Sequence, residues 1–312
     1  MSISFARRSN LMVPVTDEAA VAKAWTWQPD AVTLDLEELV LPELRGRAQG
    51  LVREAIPVVR KGGAEVFVRV NRDATYADLE ASVWEGLTGV TLPGAEDADE
   101  VKALDTLLTE MERRRGVPQG TLQVDLEVRT GTGAWNALEM ARASKRVTTL
   151  TVGETGLYRD LGLDPEANLP RDPLEAVKGR IIVSAVAAGA QPMGMSYPLS
   201  ITLEQAGEEE LRRAVVRARH TGFKGAQCLH PSWVKVCNAS FRPTPEEVAY
   251  YRKVREVFAE GVARGLASVP LDGRMIDTPV DRRAILFLAL DELCARRDRE
   301  KEAAVAQALK AA

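Results

Sequence analysis

Eight short runs dense in valine, leucine and isoleucine, most of them followed by a longer amphipathic stretch, constrain the fold of this chain more than any other feature. The runs are Leu11–Val15, Ala31–Leu36, Glu65–Val70, Gly89–Leu92, Leu122–Val128, Thr149–Val152, Met193–Tyr197 and Ala226–Leu229. Between them, residues 96–115, 172–189 and 208–222 read as helices. Strand followed by helix, eight times over, with no repeat period and no low-complexity linker, predicts an α/β fold, a (β/α)8 TIM barrel, over residues 1–242. Helices are expected from Pro243 to the end. Residues 243–312 then form a C-terminal helical extension, closing with an amphipathic helix over 280–310 that covers the barrel mouth or a neighbouring subunit.

Composition narrows the function. A chain of 312 residues, 46% hydrophobic and 28% charged, is long enough for one large domain with a full core. A net charge of -4, with basic and acidic residues intermixed, gives no footprint for nucleic acid. No stretch approaches a membrane span and the first residues lack a signal-peptide pattern, so a cytoplasmic location is expected. Three cysteines without a CxxC pair offer neither a disulfide framework nor a zinc cluster, and two histidines exclude a His-rich metal site. Any metal would sit on carboxylate oxygens, which favours Mg²⁺ or Mn²⁺.

A barrel of this kind carries its chemistry at the C-terminal ends of its strands. Those ends read Asp35 to Glu38 after the second run, Arg69 to Asn71 after the third, Pro93 to Glu96 after the fourth, Glu127 to Arg129 after the fifth, Glu154 after the sixth, and His230-Pro231 after the eighth. Acids and one or two arginines converge. Such a set suits a divalent cation on carboxylates, with an arginine to clamp a substrate carboxylate.

Segments along nearly the whole chain, RRSNLMVPV (7–15), AVTLDLEELV (31–40), FVRVN (67–71), GVTLP (89–93), EMARASKRV (139–147), LGL (161–163), the long run 222–248 and DGRMIDTPV (272–280), are similar, in order, to the citrate lyase β-subunit-like branch of the HpcH/HpaI aldolase superfamily. The resemblance implies a (β/α)8 barrel, assembled as a homotrimer or homohexamer, that makes or breaks a carbon–carbon bond beside a carboxylate or a coenzyme A thioester with Mg²⁺. It assigns Arg69 to the substrate carboxylate, Glu37 and Glu38 to the surroundings of the metal, and Asp277 to proton transfer, brought over the site by the C-terminal segment, often of an adjacent subunit. Arg129 and Pro93 fall beside the substrate.

The chain departs from the family pattern at both metal ligands. Aligned without gaps, the glutamate after the fifth strand falls on Arg129 and the aspartate after the sixth falls on Gly156. Glu127 and Glu154 each lie two residues earlier. Since strand side chains return to one face every two residues, both are expected to point into the barrel one pleat deeper, as a relocated metal pair. A two-residue insertion in RTGTGAW would instead leave Glu127 in the usual place. In a third reading the cation is gone and Arg129 supplies the positive charge. Three function classes follow: a metal-dependent carbon–carbon lyase on a hydroxyacyl-CoA or a free hydroxy or oxo acid, a metal-independent lyase or thioesterase on the same scaffold, and a non-catalytic binding subunit.

Overall fold

A computed structural model describes residues 6–164, 171–195 and 207–311. Its strands are β1 (Ser9–Pro14), β2 (Ala31–Asp35), β3 (Glu65–Arg69), β4 (Gly89–Pro93), β5 (Gln123–Val128), β6 (Val147–Val152), β7 (Gln191–Met193) and β8 (Ala226–Cys228). All pair parallel, each with its sequence neighbour except that β8 pairs with β1. A bridge from Met193 to Gly225 brings β7 to β8 and rounds off the barrel. The eight expected runs all carry strands. The seventh ends at Met193, where the apolar run predicted a strand reaching Tyr197; residues 196 and 197 lie outside the described residues.

Alternation along each strand sorts the side chains. Leu11, Val13, Val32, Leu34, Val66, Val68, Val90, Leu92, Val124, Leu126, Leu150 and Val152 face the helices in one continuous core. Their neighbours on the other face fill the barrel and are unusually polar: Thr33 donates to Asn10 Oδ1 (2.9 Å) and Thr151 to Asp125 Oδ1 (2.7 Å). Arg7 plugs the lower end, with its guanidinium on Glu65 (2.5 Å) and Thr149 (2.9 Å) and 4.8 Å from the Phe67 ring centre.

The outer helices are α1 (Glu18–Ala24), α2 (Arg45–Val59), α3 (Thr75–Ser82), α4 (Ala98–Arg115), α5 (Gly131–Ala143), α6 (Glu154–Asp160), α7 (Glu175–Ala188), α8 (Glu208–Thr221) and α9 (Ser232–Ser240). Their limits follow local chemistry. In α4, Asp97 accepts from the amides of Asp99 and Glu100, Arg113 to Arg115 sit at the negative end of the helix dipole, and Gly116 stops the helix in the left-handed region.

The seam between β8 and β1 leaves no room for a side chain. A Cβ at Gly225 would lie 1.8 Å from the Arg7 carbonyl oxygen. Gly225→Ala is therefore expected to cost on the order of 1–3 kcal/mol through forced strand separation. A urea midpoint unchanged from the parent would contradict this.

The extension differs from the all-helical expectation. After α10 (Pro245–Ala263), which starts on a Thr244/Glu247 capping box, come β9 (Ser268–Leu271) and β10 (Arg274–Asp277), an antiparallel hairpin, and then α11 (Thr278–Ala311). Asp272 and Gly273 make the two-residue turn, both with positive φ, as an Asp-Gly hairpin requires. Val254, Phe258, Val269, Leu271, Ile276 and Ala284 form a separate small core there. The far half of α11 returns to the barrel at the N-terminal ends of its strands: Lys301 Nζ and Arg8 both hold the buried Asp30 carboxylate, and Arg297 donates to the Asp30 carbonyl. Within the protomer the extension thus meets the end opposite the mouth. Among the described residues no helix is long and apolar enough to cross a membrane.

Candidate active site

The mouth is organised from Asp35, the last residue of β2, which stands directly across the ladder from Arg69, the last residue of β3. Arg69 donates from Nε and Nη2 to the two Asp35 oxygens, both at 2.7 Å, in a bidentate pair. The same carboxylate accepts from the amides of Glu37 (3.1 Å) and Leu39 (2.6 Å), so it fixes the loop after β2 as well as the arginine. Arg69 Nη1 is left turned toward Glu38 (3.2 Å) and Glu127 (3.5 Å). Burial works against the Arg69 charge, but the Asp35 hydrogen bonds and the field of Glu127 outweigh it and hold the guanidinium above its ordinary range.

Glu127, near the end of β5, is buried and accepts from Arg129 Nη2 at 2.9 Å. Arg129 also donates to Glu37 (2.8 Å) and Glu38 (3.3 Å). Its place is set by a short connection, because Thr130 already caps α5 by accepting from Gly133 N. The Arg129 stem runs over the loop after β6. A Cβ at Gly153 would lie 2.5 Å from Arg129 Cγ, and one at Gly156 would lie 2.6 Å from Arg129 Cβ.

Glu154 does not continue the strand. β6 ends at Val152 and Glu154 opens α6, so the two-residue spacing that would carry it one pleat down does not apply. Its carboxylate pairs with Lys178 of α7, which also binds Asp172 (2.7 Å). Burial pushes the Glu154 carboxyl up against the pull of Lys178, while Lys178, despite its own burial, is raised by the two acids.

A cavity opens at this end of the barrel, with Arg69, Glu127, Arg129, Glu154, Gln227 and Trp233 in its wall. Glu38 lines it too, at the exposed rim, and Glu37 stands just behind through Arg129. Gln227 Nε2 is buried with no protein partner among the described residues, a donor left for a ligand oxygen. Pro93 lies across the ladder from Glu127 but does not line the cavity. Asp277 is away from it, at the N-terminus of α11, where it accepts from Val280 N (3.2 Å). The residues to which the sequence gives no role of their own are Asp35, Lys178, Gln227 and the pair Gly153 and Gly156. Asp35 was visible as a strand end, whereas Lys178 stands on a helix with no local signal.

The described residues of this mouth do not fit a resident divalent ion. Among the described residues no group of three His, Cys, Asp or Glu side chains is placed to hold a metal ion, and the point where Glu37, Glu38 and Glu127 meet is filled by the Arg129 guanidinium. Glu127 is taken by two guanidiniums and Glu154 by an ammonium.

Residues 8–231 match the family described as HpcH/HpaI aldolase/citrate lyase. The chain is 29% identical over 289 residues to citrate lyase subunit beta of Haemophilus influenzae, covering 90% of this chain and 96% of that one. It is 28% identical over 273 residues to (3S)-malyl-CoA thioesterase of Cereibacter sphaeroides, covering 86% and 89%. Among solved structures it is similar to CitE of Mycobacterium tuberculosis in complex with magnesium, acetoacetate and coenzyme A, with a TM-score of 0.70, 26% identity, and 92% and 98% of the two chains covered.

Proposed function

The chain belongs to the HpcH/HpaI aldolase/citrate lyase family, and from that membership we propose that it cleaves a carbon–carbon bond in a hydroxyacyl-CoA thioester, or in a free hydroxy or oxo acid, through an enolate. The observation that carries this reading is the donor-rich mouth: the outward edge of Arg69, Arg129 and the unpartnered Gln227 amide share one cavity wall above buried Glu127. A wall of that kind receives carboxylate and thioester oxygens. The solved relative that holds acetoacetate and coenzyme A supports the same substrate class.

In this reading Arg69 receives the substrate carboxylate. A carboxylate takes the carbinol proton, the bond between the carbinol carbon and the α-carbon breaks, and the carbinol carbon becomes a carbonyl. The bonding pair goes to the α-carbon as an enolate, whose oxygen needs aimed donors, and protonation at carbon completes the reaction. The proton carrier we assign is Asp277. It lies outside its own mouth and so would act on that of a neighbouring copy in a homotrimer or homohexamer. Exposed Met275, Ile285 and Leu286 beside it offer apolar surface for such a contact.

Asp277→Asn keeps a capping side chain on α11 and removes only the proton function. It is expected to lower kcat by about 10²–10⁴-fold with the melting temperature unchanged. Mixing it after subunit exchange with Arg129→Lys should restore activity to about a quarter of parent sites, because intact sites then combine one barrel with another copy's arm. Two inactive variants that stay inactive together would contradict the shared site.

A second reading, thioester hydrolysis, is favoured by the similarity to the malyl-CoA thioesterase. Incubation with malyl-CoA or citramalyl-CoA separates the two by product. A lyase releases glyoxylate or pyruvate without free thiol, and a thioesterase releases thiol without the oxo acid. Neither product from either thioester, with oxo acid plus aldehyde mixtures also inert, would refute both.

A further inference from the structure

We propose that the guanidinium of Arg129, seated on Gly153 and Gly156, is the cation of this mouth, replacing a divalent ion and binding an enolate-like oxyanion without metal. The inference deepens the proposed lyase or thioesterase reading and rests on it for the identity of the oxyanion.

The first support is occupancy. Arg129 donates to Glu127, Glu37 and Glu38, carboxylates from two different strand ends that a metal ion would have to share. The guanidinium therefore stands at the point where these acids converge. It carries five N–H donors, and three contacts account for the acids. Nε and one Nη1 hydrogen have no protein acceptor among the described residues, and Arg129 lines the cavity.

The second support is the cradle. A Cβ at either glycine would come within 2.6 Å of the Arg129 stem, closer than real Cβ contacts allow. Neither position has a positive φ. Backbone conformation therefore does not require glycine there, but the arginine does. The loop after β6 is shaped around this side chain, and no carboxylate could reach in from position 156 while the stem lies there.

The third is charge. The buried acids of the mouth are Asp35, Glu127 and Glu154, with side chains 0%, 4% and 9% exposed, and the buried bases are Arg69, Arg129 and Lys178, at 4%, 11% and 6%. Three negative and three positive charges balance without an ion. Glu38, at 47%, lies at the rim, and Glu37, at 24%, turns one oxygen to Arg129 and buries the other 3.6 Å from Arg69 Nε, so the guanidiniums also neutralise it. Adding two positive charges beside Arg69 and Arg129 would leave the buried set unbalanced. A guanidinium also aims several separate N–H donors at a planar oxyanion, where an ammonium offers a compact point charge.

The test uses the chelator-stripped full chain with two probes. Mn²⁺ is titrated with free ion read by electron paramagnetic resonance, and oxalate, a planar enolate-like dianion, is titrated calorimetrically in EDTA. The expected result is no stoichiometric Mn²⁺ site and oxalate binding that persists in EDTA. Arg129→Ala and Arg129→Lys should each weaken oxalate at least about tenfold. Gly156→Ala evicts the stem while leaving the guanidinium in the chain, and should weaken oxalate by a similar factor; melting curves establish that each variant is folded, and Arg129→Lys decides the matter if Gly156→Ala is not. Stoichiometric Mn²⁺ that disappears in Glu127→Gln overturns the proposal. So does oxalate binding that requires Mn²⁺, is unchanged in both Arg129 variants, or is absent throughout. Reaction class is read separately from oxo-acid and thiol release, so its failure is distinguishable from failure of the guanidinium seat.

Discussion

Arg69→Ala is expected to destabilise the fold by about 3–5 kcal/mol, because it leaves buried carboxylates without their cation. Asp35 is completely buried and would keep only the amides of Glu37 and Leu39. Glu127 would lose one of its two guanidiniums. Arg69→Lys restores charge but not the bidentate geometry, so it should recover part of the loss. Urea unfolding of both variants checks this, and a loss under about 1 kcal/mol for the alanine variant would mean the pair contributes little net stability. Catalysis should fall in both, since the outward edge of Arg69 is set by the pair behind it.

The second large effect is a pH-dependent gain. Asp125 lies one pleat below Glu127, wholly inside the barrel, and accepts from Thr151 (2.7 Å) and Thr91 (3.3 Å). Burial, opposed by the threonine hydroxyls and reinforced by Glu127, moves its carboxyl from 3.8 up to about 6. The folded chain thus binds this proton more tightly than the unfolded chain. The associated stability is present in full below pH 3.8 and is lost as pH rises through about 6. Two pH units amount to about 3 kcal/mol. Asp125→Asn, which keeps the size and hydrogen-bonding reach, should therefore be more stable than the parent by about 2–3 kcal/mol at pH 8, with the difference shrinking below about 1 kcal/mol at pH 4. Other titrating groups are common to both proteins and largely cancel. A difference independent of pH would show that Asp125 ionises in the barrel at no cost.

Much of this architecture is written in local patterns. The valines and leucines of AVTLD, EVFVR, GVTLP and QVDLEV recur every second residue and face the helices, while Phe67 of EVFVR breaks the polar alternation by filling the barrel beside Arg7. β7 starts earlier than its apolar run because its extent follows its ladder to β6, with Gln191 beside Thr149, rather than its own composition. The β9–β10 hairpin carried a readable sign in Asp272-Gly273, obscured by helical sequence on either side. Arg69, Glu127 and Arg129 were found as strand ends and do share one cavity, with Glu38 at its rim. Glu154 shows where such reading stops. The period of two stops at Val152, where the strand ends, and the partner that captures the acid, Lys178, stands on another helix. The clash that ties Gly153 and Gly156 to Arg129 exists only once β5 and β6 are side by side.

Turnover of malyl-CoA, citramalyl-CoA and oxo acid plus aldehyde mixtures in excess EDTA, with the parent chain and Arg129→Ala side by side, separates a guanidinium-driven enzyme from a metal-driven one most directly. Activity that persists in EDTA and is lost in Arg129→Ala is the expected result. Activity that vanishes in EDTA and returns with Mg²⁺ would contradict it.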